Sequence, residues 1–163
     1  MKTNAWLTEG NYKQWIRNGL LCEVRRAKQS GHLNGYVSLP KAHLLTELTY
    51  AQLHDLIPSL NIHGGLTYST ETEYSKTLNI KRIKHNGMAW TFGFDCAHHR
   101  DYCPELAKTL TLIMNSTDHT MSLHKNTYRD MTYVCQQTNN LCDQLINYTK
   151  EFDKCYANLS IGS

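Results

Sequence analysis

Short runs of apolar and β-prone residues alternate with polar turns along the first two thirds of the chain. The runs 19–27 and 32–40 are separated by the polar sequence KQSG, which is typical of two strands joined by a glycine-containing turn. Before them, residues 1–18 carry Trp15 and Ile16 among polar neighbours. We therefore predict a hairpin, preceded by an N-terminal arm or a short helix.

Two stretches have the spacing of helices. Residues 46–57 place leucines on roughly one side before Pro58, and Thr46 or Thr49 supplies a capping hydroxyl. Residues 105–116 are apolar enough for a helix packed on the sheet, although their period alone does not separate a helix from a strand.

The pair Asn86-Gly87 lies between two strand-like runs within residues 78–95. These two residues tolerate the positive φ angles of a two-residue type I′ hairpin turn. Such a turn would pair His85 with Met88, Ile83 with Trp90, Lys81 with Phe92 and Asn79 with Phe94. One face of the second strand, which we predict to be the core face, then carries Trp90, Phe92 and Phe94. The opposite face is small and polar, with Ala89, Thr91, Gly93 and Asp95.

Apolar residues repeat at intervals of three and four from residue 126 to residue 152 and predict a long amphipathic helix. The pattern as a whole predicts one domain, 1–163, with an α+β fold. In it a mainly antiparallel β-sheet, formed by residues 19–101, packs against a long C-terminal α-helix within the helical part 105–152.

Composition places the chain among globular proteins. It has 163 residues, a formal net charge of +3 and an 18.8 kDa mass. No apolar run reaches the roughly 20 residues that cross a bilayer, and the first residues lack a secretory signal, so we expect a cytoplasmic protein with reduced cysteines. The mild positive charge is not clustered, and a nucleic-acid partner is not expected. The sequence does not set the oligomeric state.

The sequence NIHGGLTYS, residues 61–69, reads as a strand that bears His63, Gly65, Thr67 and Ser69 on a polar side. Glycines inside strands commonly mark a bulge or the close approach of a backbone or ligand. The sequence DCAHHRD follows the other glycine-containing strand and adds further histidines and aspartates. We therefore predict a polar pocket whose candidate ligand-binding residues are His43, His63, Gly64, Gly65, Thr67, Tyr68, Asp95, His98 and Asp101.

Three interpretations of this pocket stay open. His63, Asp95, His98 and Asp101 form a mixed nitrogen and oxygen set that suits a divalent metal, although the spacing assigns no metal. His63, Asp95 and His98 are alternatively catalytic candidates, with a histidine oriented by an aspartate. The same groups could also hold a polar or phosphorylated ligand without turnover. Against all three stands a purely structural role in hydrogen bonding and capping.

Four sequences in order, NGYVSLPKAH, HGGLTYS, WTFGFDCAHHRD and TYRDMTYVCQQTNNLCDQL, resemble a family of small phage and prophage proteins. The resemblance spans roughly Cys22 to Leu145 and implies a phage origin rather than an activity. The matching positions are His43, His63, Gly64, Gly65, Thr67, Tyr68, Asp95, Cys96, His98 and Asp101. The segment between His43 and His63 departs from the family, which has a tyrosine and an acidic run there.

These features together predict a phage accessory protein that acts in the cytoplasm of the infected cell, against a host defence. Its expected partner is a small nucleotide-like ligand. A hydrolase or transferase acting on a nucleotide is one alternative, and an inhibitor that occludes a host defence protein is another.

Overall fold

The structure is a computed structural model that describes residues 4–73, 88–114 and 126–160. After a 3₁₀ turn at Ala5–Leu7, its elements are β1 (Tyr12–Arg17), β2 (Leu20–Arg26), β3 (Leu33–Pro40), α1 (Tyr50–Leu56), β4 (Tyr68–Glu73), β5 (Met88–Asp95), α2 (Pro104–Met114) and α3 (Met131–Ser160). The strands form an antiparallel sheet in the order β1-β2-β3-β5-β4. The predicted α+β fold is confirmed.

The first three strands form a meander at one side of the sheet. The predicted hairpin of β2 and β3 is confirmed, with Cys22 opposite Val37. The arm before residue 19, for which a short helix was the alternative, instead forms β1, which pairs with β2. Asn18 and Gly19 make the connection with φ angles of 50° and 83°, as a two-residue hairpin turn requires.

β5 lies inside the sheet, with β3 on one side and β4 on the other. Trp90 lies opposite Leu39 and Glu71, so the predicted pairing of Trp90 with Ile83 is wrong, as is the register derived from it. The predicted turn at Asn86-Gly87 itself lies outside the described residues. The predicted core face is confirmed. Phe92 and Phe94 are fully buried there, and the partly buried Trp90 packs against the same core.

α3 covers the apolar face of the sheet, as its periodicity predicts. It begins at Met131 and continues to Ser160, past the predicted end. The residues of α3 that are buried against the sheet recur at helical spacing and are Val134, Thr138, Leu141, Cys142 and Leu145. The helix therefore supplies one side of the hydrophobic core and holds its first turn above one end of the strands.

The shorter helices are present where they are predicted. α1 begins after Thr49, whose side chain forms a reciprocal capping box with Gln52. α2 is a helix, but Leu112 and Ile113 are 78% and 72% exposed, so it does not pack on the sheet along its length. Among the described residues, no helix is both long and apolar enough to cross a membrane.

Candidate functional site

His63 lies in a turn between α1 and β4, and the predicted strand over residues 61–69 is wrong for residues 61–67. β4 begins only at Tyr68, and Gly64 and Gly65 have φ angles of 66° and 85°. Such left-handed angles are compatible with a tight turn and not with a strand. The backbone N–H of His63 donates to Gln137 Oε1 at 3.0 Å, which attaches the turn to α3.

The His63 ring is held at both nitrogens. Nε2 lies 2.7 Å from Asp101 Oδ2, and Nδ1 lies 3.0 Å from the Tyr133 hydroxyl. Asp101 belongs to the segment that follows β5, and Tyr133 lies in the first turn of α3. The imidazole therefore joins three segments that are far apart in the sequence, and its orientation is fixed.

Asp101 is the centre of this network. Its side chain is only 1% exposed, Oδ1 accepts from Arg129 Nε at 2.9 Å, and Oδ2 also accepts from the His98 backbone N–H at 3.1 Å. Burial alone would raise the pKa of the Asp101 carboxyl, but the hydrogen bonds from His63 and Arg129, with the charge of His63, hold that pKa below its ordinary value. Asp101 is therefore a buried carboxylate at neutral pH.

The ring of His98 faces the same carboxylate but, unlike the His98 backbone N–H, forms no hydrogen bond to it. Its Nδ1 lies 3.6 Å from Asp95 Oδ1 and 3.8 Å from Asp101 Oδ2. The Nδ1 atom is inaccessible to solvent and has no hydrogen-bond partner among the described residues. The ring centroids of His63 and His98 are 5.5 Å apart.

The His98 ring also explains the first glycine of the double-glycine turn. A Cβ atom at Gly64 would lie under 3.0 Å from three atoms of that ring, whereas a Cβ at Gly65 would meet nothing within 4 Å. The close approach predicted from the glycines is therefore made by a side chain of the protein, His98. Gly65 contributes only the backbone conformation of the turn.

His43 is not part of this cluster. Its Nδ1 accepts from the Leu45 N–H at 3.2 Å, and its Nε2 lies 3.3 Å from Thr149 Oγ1. Thr149 follows Tyr133 by sixteen residues along α3, which is about 24 Å of helix. The prediction that His43 belongs to the pocket is wrong because α3 holds it at the opposite end of the sheet.

Thr67 and Tyr68 are also outside the cluster. Thr67 is exposed, and its backbone N–H donates to Gly93 O at 2.9 Å. Tyr68 lies on the sheet face opposite α3, where its ring packs edge-on against Tyr36 with the centroids 5.5 Å apart. The Tyr36 ring occupies the space that a Cβ at Gly93 would need, so that glycine does not mark a ligand either.

Sequence reasoning missed Tyr133, whose hydroxyl contacts His63, and Arg129, which donates to Asp101. The sequence did contain a signal for these residues, which is Asp130. In the structure Asp130 accepts from the Tyr133 N–H at 2.8 Å and so caps α3. An aspartate three positions before a tyrosine at the start of an apolar-periodic run indicates a helix start. That assignment would have placed Arg129 and Tyr133 at one end of the helix.

The structure thus joins His63, His98 and Asp101, with Asp95 beside them. One ligand atom from each of the first three lies within 4.8 Å of the others. Comparison of the chain with protein-family models, with curated proteins and with solved structures found no match. Any functional assignment therefore depends on this geometry and on the sequence resemblance.

Proposed function

We propose that the protein binds a small polar ligand at the cluster of His63, His98 and Asp101. The observation that carries this proposal is His98 Nδ1, which is buried and has no hydrogen-bond partner among the described residues. A buried polar atom without a partner costs about 1–3 kcal/mol, so a ligand that supplies the partner gains affinity. The side chain of His98 is 33% exposed, which leaves the ring within reach of solvent.

The proposed ligand class is a nucleotide-like anion. Arg129 lies at the rim with its side chain 29% exposed and its guanidinium 4.9 Å from the centroid of the Tyr133 ring. An arginine has five N–H donors, of which Nε donates to Asp101, and arginines recognise phosphate through pairs of such donors. An arginine stacked on a tyrosine beside two imidazoles is suited to a ligand that combines phosphate with a polar base.

The biological part of the proposal comes from the resemblance to small phage and prophage proteins. A phage protein that captures a nucleotide signal in the cytoplasm of the infected cell would act as a counter-defence factor. Capture without turnover requires only that the cluster hold its ligand.

The test is equilibrium binding of the whole chain to a panel of nucleotides and cyclic nucleotides. The informative variant is His98→Gln, and the matched control is His99→Gln at the exposed neighbouring histidine. We expect one or more nucleotides to bind the wild type and the control, and to bind the His98 variant weakly or not at all. Failure of every nucleotide to bind below millimolar concentration would overturn the proposal.

A second candidate function is hydrolysis or group transfer on the same ligand. The observation that favours it is the continuous chain from Asp101 through His63 to the Tyr133 hydroxyl, with contacts of 2.7 Å and 3.0 Å. An imidazole oriented by a carboxylate can take a proton from a hydroxyl or from water. Mass spectrometry of each bound nucleotide after incubation decides between the two functions. Turnover that is lost in His63→Ala supports the enzyme, and recovery of the ligand intact excludes it.

A further inference from the structure

We propose that His63 Nε2, His98 Nδ1 and Asp101 Oδ2 together bind one divalent transition-metal ion. This inference deepens the proposed function, since it concerns the same cluster, but the ion is tested without any other ligand. Two imidazoles and a carboxylate form a donor set that suits zinc, manganese, iron or cobalt.

The distances are close to those of a metal site. Ligands about 2.1 Å from a tetrahedral ion lie about 3.4 Å from one another. The Asp101 oxygen lies 2.7 Å from His63 Nε2 and 3.8 Å from His98 Nδ1, on either side of that value. Small rotations of the two imidazoles would place the three atoms around one ion, and the ion would replace the hydrogen bond between His63 and Asp101.

His98 gives the observation that distinguishes a metal site from a simple ion-pair network. In a network without an ion, a buried imidazole nitrogen would be placed to donate or accept a hydrogen bond. His98 Nδ1 instead lies 3.6 Å from one carboxylate and 3.8 Å from another. The ring packs against the backbone of Gly64, where the absence of a side chain leaves room for it. A cation between His98 Nδ1 and the Asp101 carboxylate would give that nitrogen a partner, and Asp95 Oδ1 lies beside it at 3.6 Å.

The surrounding groups are those that orient metal ligands in known sites. A histidine that binds a metal commonly uses its second ring nitrogen for a hydrogen bond, and His63 Nδ1 has the Tyr133 hydroxyl at 3.0 Å. The carboxylate is held in the same way, because Arg129 donates to the Asp101 oxygen that the ion would not use. The ligand atoms of His63 and Asp101 are therefore held in place by bonds that do not depend on the ion.

The test is calorimetric titration of the metal-free whole chain with Zn²⁺, repeated with Co²⁺ for its ligand-field spectrum and with Mg²⁺ as a negative control. We expect one equivalent of Zn²⁺ and of Co²⁺ to bind, and Mg²⁺ not to bind, because Mg²⁺ prefers oxygen ligands. His98→Gln should abolish binding while the matched control His99→Gln keeps it. Tyr133→Phe should weaken binding by about tenfold, as for other groups that orient a ligand.

Nitrogen chemical shifts of the imidazoles give a measurement that does not depend on a variant that folds. Zn²⁺ should shift Nε2 of His63 and Nδ1 of His98 and leave the ring of His99 unchanged. The inference is overturned if neither ion binds, or if binding persists in His98→Gln. If Zn²⁺ binds and no nucleotide does, the proposed ligand class fails and the metal site stands.

Discussion

Replacement of Gly64 by alanine tests the contact on which the arrangement of the cluster depends. Gly64→Ala adds a Cβ that would lie under 3.0 Å from three atoms of the His98 ring, and it does so at a φ of 66°. Gly65→Ala is the matched control, because its φ is 85° but its Cβ would meet nothing within 4 Å. Both variants carry the backbone cost of about 1–2 kcal/mol for a left-handed residue with a side chain. Only Gly64→Ala carries the cost of the steric overlap as well.

The overlap adds about 1–3 kcal/mol if the ring stays in place, as for other insertions into packed sites. For a chain of 163 residues this difference lowers the melting temperature of Gly64→Ala by about 2–12 °C relative to Gly65→Ala. The assay is urea and thermal unfolding of the wild type, both alanine variants and the double variant Gly64→Ala/His98→Ala. The double variant should recover the part of the loss that comes from the overlap, since the ring is no longer present.

The His98 ring can instead move in Gly64→Ala, and its imidazole chemical shifts detect such a movement. His98 is 33% exposed and can rotate towards solvent, which would reduce the loss of stability but move Nδ1 away from Asp95 and Asp101. The imidazole shifts of His98 would then differ from those of the wild type. Equal stability of the two alanine variants, together with unchanged His98 shifts, would refute the close approach of His98 to Gly64.

Three further predictions concern groups outside the cluster. Burial lowers the pKa of His43, so protonation favours the unfolded chain, and the free energy of unfolding should fall as pH drops through about 6.5. Urea unfolding of His43→Gln across this range should show a smaller pH dependence than the wild type, with the part due to the partly buried His32 remaining. Glu9→Gln should lower the free energy of unfolding by about 3 kcal/mol, because it leaves the largely buried Arg26 without its charge partner. Urea unfolding should show a smaller loss for Asp143→Asn, which breaks a more exposed ion pair. Partial burial and the hydrogen bond to the Glu23 carboxylate raise the pKa of Tyr12 to about 12, so the free energy of unfolding should decline between about pH 10 and 12. Ultraviolet titration of Tyr12→Phe should show one late tyrosinate step fewer than the wild type.

The fold follows largely from patterns that are local in sequence. The aromatic residues at alternate positions of β5 identify its core face, and the three-and-four spacing after residue 126 identifies α3. The pairing of β5 did not follow, because a turn signal indicates a hairpin but not which strands occupy the edges of the sheet. The signal that applies to Asn86-Gly87 is also present at Asn18-Gly19, where it correctly indicates the turn from β1 to β2.

The site follows from the sequence only in part, for a physical reason. Asp95, His98 and Asp101 lie within one short segment, so a local pattern brings them together. The sequence makes both His63 and, less strongly, His43 candidates for the pocket, and the packing of α3 separates the two. The structure predicted from a pair of glycines is ambiguous as well, because two adjacent glycines occur both in weakened strands and in left-handed turns.

The hydrogen bonds of the cluster decide which substitution can distinguish a functional role of the cluster from a structural one. Asp101 accepts bonds from His63, Arg129 and the His98 backbone, so its replacement would loosen three segments whether or not a ligand binds. His98 Nδ1 holds no such bond among the described residues, and its side chain is partly exposed. Replacement of His98 therefore breaks no hydrogen bond of Nδ1 among the described residues, but it removes a ligand atom for any ion or polar ligand at the cluster. A loss of binding in His98→Gln that exceeds its loss of stability indicates a site, whereas equal losses indicate a structural network.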